Sequence, residues 1–329
     1  MDTKTSGQAS SAVRQGKRPW RIVGVALCLL VALAVGTEAT LRLLLGLGDP
    51  VLIAPDAACS YITKPDQKIF RFLVHTYINH YGMRSDEVSR EPSPGAVRVL
   101  FVGDSITYGT THVDQSRIFT QIVARGLPAV VHRPVEVLNA SANGWAPDNE
   151  WSWVRSRGIL QSNFVLLVLN DGDLTEPRAT IDQVGDGLPQ KRPATAIGEF
   201  YTRFLAPRIF HIARRSDPGD TVATNDAAMR ANLEDLSRFR ALVASQKGRM
   251  VLVFLPFRKD VPALSTQPEK VLHTWGDQNQ VPFLDLTSAI SRYSVSQICL
   301  YDHTHFNAAG NQVIGEAILK QWPELGLRP

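Results

Sequence analysis

Apolar residues in this chain fall into short, nearly unbroken runs separated by longer stretches of helical periodicity. Val97-Arg98-Val99-Leu100-Phe101-Val102 is such a run, mostly β-branched or aromatic apart from Arg98. It predicts a strand covered on both faces. Four more runs read the same way: Val135–Leu138, Phe164–Leu169, Met250–Leu255 and Val281–Leu286. Between them, helical spacing predicts helices around Ser116–Ala124, Asn149–Ser156, Asp226–Ser245 and Glu269–Asp277. A last helix runs Ala308–Trp322, with Val313, Ile314, Ala317 and Ile318 on one face. Strands alternating with helices predict a parallel sheet with helices on both faces.

Two stretches depart from this rhythm. Residues 48–96 hold Pro50, Pro55, Pro65, Pro92 and Pro94 and read as a linker plus an amino-terminal extension of the domain. Within it, Tyr77–Arg84 reads as an extended strip lying on the body. Residues 172–224 interrupt the alternation as an insertion. Inside that insertion, Ile197, Phe200, Tyr201, Phe204, Leu205 and Ile209 share one face of an amphipathic piece, Ile197–Ile212. A packed helix, a lid and a membrane-surface helix all fit this pattern.

Charge changes the picture at the amino terminus. The first 21 residues hold five of the 35 basic residues and one of the 31 acidic ones, so the remainder balances at 30 of each. A nucleic-acid binder carries its basic excess on the folded body. Here the excess is a tail, which argues against nucleic acid. Ile22–Thr37 follows without one charged residue, and apolar character resumes at Leu41–Leu47. A bilayer span takes ~20 apolar residues. Residues 1–21 therefore read as a basic cytoplasmic tail and 22–47 as a transmembrane signal anchor, with the body outside the cytoplasm by the positive-inside rule. A cleaved signal peptide, cut near Ala32-Leu33-Ala34, fits the same features.

Three cysteines add little. Cys28 lies in the apolar segment, and Cys59 and Cys299 read either as a disulfide of an oxidising compartment or as two buried thiols. No group has metal-ligand spacing; His303 and His305 lack a second pair. Neither a metal nor an organic cofactor is called for.

Candidate chemistry gathers at the predicted strand ends. Gly103-Asp104-Ser105 closes the first strand with a serine where open α/β sheets place ligands. A serine hydroxyl needs a base to take its proton, and a carboxylate to orient that base. Asp302 and His305, three apart before the last helix, supply both, with His303 as the rival base. Backbone and amide donors for a developing oxyanion come from the small loop at Gly144 and from Asn170-Asp171. Trp145, Trp151 and Trp153 follow the Gly144 loop; core packing suits them better than a sugar-stacking platform.

Gly103-Asp104-Ser105, Gly144, Asn170-Asp171 and Asp302-x-x-His305, in this order, resemble the SGNH (GDSL-type) hydrolase superfamily over about Val97–Trp322. Ile106 stands where the family name has leucine, and Val168 stands where the third block usually has glycine. The resemblance implies a flavodoxin-like three-layer α/β/α sandwich with a five-stranded parallel sheet, here over residues 97–329; the transmembrane helix read from the apolar run precedes it. It implies Ser105 as nucleophile, His305 as base and Asp302 as its orienting partner. Oxyanion donors would be the N–H groups of Ser105 and Gly144 and the side chain of Asn170. Asp104 and Asp171 read as structural. The implied activity is hydrolysis of O-acyl, above all O-acetyl, esters, with a surface polysaccharide as the expected carrier. An acyltransferase would use the same acyl-serine, and a non-catalytic, membrane-tethered binding protein would keep the fold alone.

Overall fold

The computed structural model describes residues 18–182, 189–209, 226–256 and 267–326. Most of the basic tail, residues 1–17, and parts of the insertion, including the end of the amphipathic piece at 210–212, lie outside the described residues.

The chain opens with α1 (Arg18–Leu45), the one helix among the described residues long and apolar enough to cross a membrane. Its 28 residues make a rod of ~42 Å. Two antiparallel hairpins follow, β1 (Ile53–Asp56) with β2 (Ser60–Thr63), and β3 (Gln67–Arg71) with β4 (Val74–Ile78). Then come β5 (Val97–Gly103), the single helical turn α2 (Ser105–Tyr108), α3 (Phe119–Val131), β6 (Val135–Ser141), α4 (Pro147–Arg157) and β7 (Phe164–Leu169). The insertion contributes α5 (Ala196–Phe200), a wide turn at Tyr201–Leu205, and α6 (Ala206–Ile209). The chain closes with α7 (Asp226–Ser245), β8 (Arg249–Phe254), α8 (Gln267–Asn279), β9 (Phe283–Asp285), α9 (Thr287–Ile290), α10 (Val295–Ile298) and α11 (Ala308–Gln321).

Strands β5 to β9 form one parallel sheet in the order β6-β5-β7-β8-β9. Numbered within the sheet this is 2-1-3-4-5, the doubly wound flavodoxin-like order. Alternation along each strand divides its side chains between two cores. Val97, Val99 and Phe101 of β5 join Phe164, Leu166 and Val168 of β7 against α3 and α11. Leu100 and Val102 join Val165, Leu167 and Leu169 on the other face, against α4, α7 and α8. The fold is thus the three-layer α/β/α sandwich that the sequence predicts.

Arg98, the one charged residue of β5, is fully buried. Its guanidinium pairs with Glu136 of β6 and donates to the carbonyls of Ser89, Arg90 and Leu160 at the end of the sheet remote from Ser105.

The stretch 48–96 supplies both hairpins and three wholly buried members of the α4/α7/α8 core, Cys59, Tyr61 and Met83. A Cys59–Cys299 disulfide is not formed: the two residues sit in the cores on opposite faces of the sheet. Burial, then the charge of Asp56, pushes the Cys59 thiol up to about 12, so it stays protonated. Trp145 and Trp153 are core residues, and the indole N–H of Trp145 donates to the Tyr61 carbonyl at 3.1 Å.

Candidate active site

β5 ends at Gly103, and the chain must turn at once to start α2. Any Cβ at Gly103 would collide with the Thr107 side chain and lie 3.1 Å from the Val168 carbonyl oxygen, so the turn needs glycine. Asp104 caps α2, its Oδ1 accepting from the Ile106 N–H at 2.8 Å. Gly109 ends the helical turn in the left-handed region, at φ 81°. This leaves Ser105 half-buried at the carboxyl edge of the sheet, beside the switch between β5 and β7.

The loop before α11 brings the other two groups to it. Cys299 and Phe306 form a β-bridge that closes the loop's base. Asp302 Oδ1 accepts from the N–H groups of Thr304 and His305, both at 3.0 Å. Asn307 caps α11 through Ala309 and Gly310, and its amide nitrogen donates to the carbonyls of Gln297 and Cys299. On this braced loop His305 Nε2 lies 2.8 Å from Ser105 Oγ, and His305 Nδ1 lies 2.7 Å from Asp302 Oδ2. The rival, His303, is exposed, in the left-handed region at φ 61°.

Burial raises the Asp302 pKa, but the hydrogen bonds and charge of His305 outweigh it and hold the carboxyl at about 2. Asp302 is therefore a carboxylate at any pH where His305 could act as a base.

Asn170 lies just past β7, buried, and all of its local bonds are directed. Its N–H donates to Asp173 Oδ2 at 2.6 Å, its Oδ1 accepts from Gly172, and its Nδ2 donates to Asp104 Oδ2 at 3.1 Å. The last bond ties Asn170 to the residue beside Ser105. Val168, in place of the expected glycine, turns its side chain into the α3/α11 core and leaves Asn170 tied to the nucleophile turn.

Gly144 sits in the loop after β6, which pairs with β5 up to Gly103↔Ser141. Its φ of 76° is left-handed, which favours glycine. The neighbouring Asn143 carbonyl accepts from the buried Tyr61 hydroxyl at 2.8 Å, so β2 pins this loop from below.

Sequence reasoning missed the buried carboxyls behind the site. Asp173 fixes the Asn170 backbone, a three-residue carboxylate-to-backbone spacing that could have been read. Glu150 of α4 is fully buried, with neither carboxyl oxygen hydrogen-bonded. Burial, then the charges of Asp104 and Glu176, pushes Glu150 well above the usual carboxylate range; burial and the charges of Asp104, Glu150 and Glu176 do the same to Asp173. Arg84 was missed too. Fully buried, it donates to the carbonyls of Tyr108, Thr110 and Val113 and braces the loop after α2. No group of His, Cys, Asp and Glu among the described residues could hold a metal ion.

No protein-family model matches the chain, and no curated protein matches it. Solved esterases and lipases are similar to it in structure. A two-domain esterase active on acetylated mannans is 14% identical, with a TM-score of 0.47 over 71% of this chain and 51% of that one. The chain thus spans about half the length of that protein. A lipase/acylhydrolase from Enterococcus faecalis is 17% identical, with a TM-score of 0.44 over 68% of this chain and 94% of that one. An acetyl xylan esterase from Geobacillus stearothermophilus is 14% identical, with a TM-score of 0.43 over 73% and 99% respectively.

Proposed function

We propose that the chain is a serine ester hydrolase of the SGNH superfamily, working through Ser105, His305 and Asp302. One observation carries this reading: the continuous line of contacts from Ser105 Oγ to His305 Nε2 at 2.8 Å, and from His305 Nδ1 to Asp302 Oδ2 at 2.7 Å. Hydroxyl, base and orienting carboxylate are in hydrogen-bond reach before any substrate arrives.

Asp302 keeps the proton on Nδ1, so the Nε2 lone pair faces the hydroxyl. As Ser105 Oγ attacks the ester carbonyl, its proton passes to Nε2, and the imidazolium is steadied by the carboxylate. The oxyanion is received by the N–H groups of Ser105 and Gly144 and by Asn170 Nδ2. The tetrahedral intermediate expels the alcohol, which takes the Nε2 proton. A water molecule then gives its proton to Nε2 and attacks the acyl-serine, releasing the acid and restoring Ser105.

Substrates in this reading are small O-acyl esters, acetyl foremost, on a carrier met outside the cytoplasm. The uncharged run Ile22–Thr37 behind a basic tail supports α1 as a membrane anchor with the body on the far side.

The test uses the full chain in detergent micelles, a small acetyl ester and a serine-directed phosphonate. Wild type hydrolyses and is labelled; Ser105→Ala does neither, and His305→Ala loses roughly 10³-fold or more in kcat. Equal labelling of wild type and Ser105→Ala would discard the assignment.

A further inference from the structure

The face around the exit of α1 is built the wrong way round for water. Glu38 directly follows the last residue of the uncharged run, and its carboxylate accepts from the N–H groups of Ala196 and Ile197 at 2.8 and 3.0 Å. Leu45, at the end of α1, accepts from the Phe72 N–H at the tip of the β3–β4 hairpin. Helix α5 and the hairpin tip are thus fixed beside the last turns of α1, after its uncharged run Ile22–Thr37.

In α5 and the turn that follows, the polar side is inward. Glu199 is buried against Arg71 and also accepts from the Gly48 N–H at 2.6 Å. Phe200, Tyr201, Leu205 and Ile209 face out, each more than a third exposed. Outside α1, ten large hydrophobic side chains among the described residues are exposed to this degree. Nine of them lie on the β3–β4 hairpin, on 197–209 or at Tyr301. Leu73 at the hairpin tip is 73% exposed. It and Phe72 form a two-residue turn with φ of 65° and 52°, a conformation suited to Asn-Gly and costly for bulky side chains. A strained, apolar, water-facing tip is a poor solution for stability alone.

This face is continuous with the candidate active site. Phe204 packs edge-on against Phe72 at 6.1 Å, Phe72 stacks on His112 at 5.4 Å, and His112 meets Tyr301, the neighbour of Asp302, at 6.2 Å. Three ring contacts lead from the exposed segment to the loop that carries the base.

We propose that the hairpin tip and residues 197–209 seat in the headgroup–acyl boundary of the membrane that α1 crosses, and that Ser105 therefore acts on esters carried by membrane-anchored molecules. The substrate half rests on the ester-hydrolase reading; the seating half rests only on α1 as a membrane span. Aromatic and aliphatic side chains with adjacent arginines, here Arg203 and Arg208, are what that boundary takes up.

The test uses full-length protein reconstituted in vesicles of phosphatidylcholine and phosphatidylglycerol. On a Cys28→Ser background, whose other two cysteines are buried, Leu205→Cys carries an environment-sensitive dye. Tyr293→Cys, about as exposed as Leu205 and the one of the ten outside these segments, is the control. Nitroxide-bearing lipids are expected to quench the dye at 205 and not at 293. A water-like, unquenched dye at 205 would overturn the seating. A blue-shifted but unquenched dye would put protein on this face, a second copy or a partner, and would overturn it equally. In the same vesicles, Phe200→Ser combined with Tyr201→Ser is expected to lower hydrolysis of a vesicle-borne ester roughly tenfold, with hydrolysis of a water-soluble acetyl ester unchanged. Equal effects on the two esters would overturn the substrate half. Loss of phosphonate labelling at Ser105 in wild type would sink the hydrolase reading and leave the quenching result intact.

Discussion

Replacing Asp302 by Asn separates orientation from stability. Asp302 Oδ1 accepts two backbone N–H groups, and Oδ2 faces His305 Nδ1 at 2.7 Å. Asn keeps the shape and the backbone bonds but sets an NH₂ group against Nδ1. The imidazole must then offer its lone pair there and carry its proton on Nε2, pointing at the Ser105 hydroxyl it should deprotonate. Wrong-tautomer substitutions of this kind cost about 10⁴-fold in kcat, or ~5.5 kcal/mol of barrier. The stability cost is much smaller. Holding the carboxyl at about 2 instead of 3.8 corresponds to roughly 2.4 kcal/mol. With Asp302 a third exposed, solvent screening reduces this to about 1 kcal/mol. Because the folded-state value is depressed, that contribution is complete above the unfolded value and is lost as pH falls through about 2. Asp302→Asn should therefore lose about 10⁴-fold in acetyl-ester hydrolysis at pH 7 while its urea midpoint moves slightly, with the difference closing towards pH 2. Ser105→Ala with Asp302→Asn should be no slower than Ser105→Ala alone, since the three groups act as a unit. A loss under tenfold, or a rate that falls only as far as the folded fraction does, would refute the reasoning.

Asn170→Ala should lower kcat by about 10²–10³-fold with little change in KM, the signature of a donor used in the transition state; an unchanged kcat would remove Asn170 from the oxyanion site. Glu150→Gln should raise the urea midpoint at pH 7, because Glu150 is buried, unbonded and pushed well above its usual range, so ionisation opposes folding as pH rises above the unfolded value; the gain should vanish in mild acid. Arg71→Ala should destabilise by about 3–5 kcal/mol in chemical denaturation, since Glu199 would be left buried without its partner. Gly103→Ala should lower kcat far more than it lowers stability if the Thr107 clash is relieved by moving the nucleophile turn; equal kcat would mean that Thr107 yields instead.

Elements with one dominant local signal were legible. β7 and α7 are bounded as the pattern predicts, because an uninterrupted apolar run and a long amphipathic period leave little competition. β6 was cut short at Leu138. It continues to Ser141 because Asn139 and Ser141 bond to each other and Asn139 donates to the Thr107 carbonyl, a buried network that reads as a loop in sequence. Predicted around Ser116–Ala124, α3 starts at Phe119 and passes through Gly126 and Pro128, which local propensity counts as breakers. Both hairpins escaped because their strands are four or five residues long and the β3–β4 turn uses Phe72-Leu73 in place of any glycine. Ser105, Asp302 and His305, which the structure brings together, could be picked out as candidates because their motifs are local. Tyr61 and Arg84 could not, because each acts on a loop that only the tertiary fold brings near.

Two carboxylates close to Ser105 meet opposite environments. Asp104 is its neighbour in sequence, yet its oxygens are committed to the Ile106 N–H and the Asn170 amide, and burial pushes its pKa up against the Ile106 N–H and the charge of His305. Asp302, nearly two hundred residues away, is a third exposed, accepts from the imidazole and two N–H groups, and is pushed down to about 2. In the proposed mechanism, environment and not proximity along the chain gives Asp302 the orienting role. The buried side ties Asp104, Asn170 and Asp173 together beside the Ser105 turn. The open side, on the α11 loop, handles the proton. Substitutions behind the sheet edge should therefore change stability or kcat without moving the acid limb of the pH–rate profile. Asp302, held at about 2, does not set that limb in the proposed mechanism.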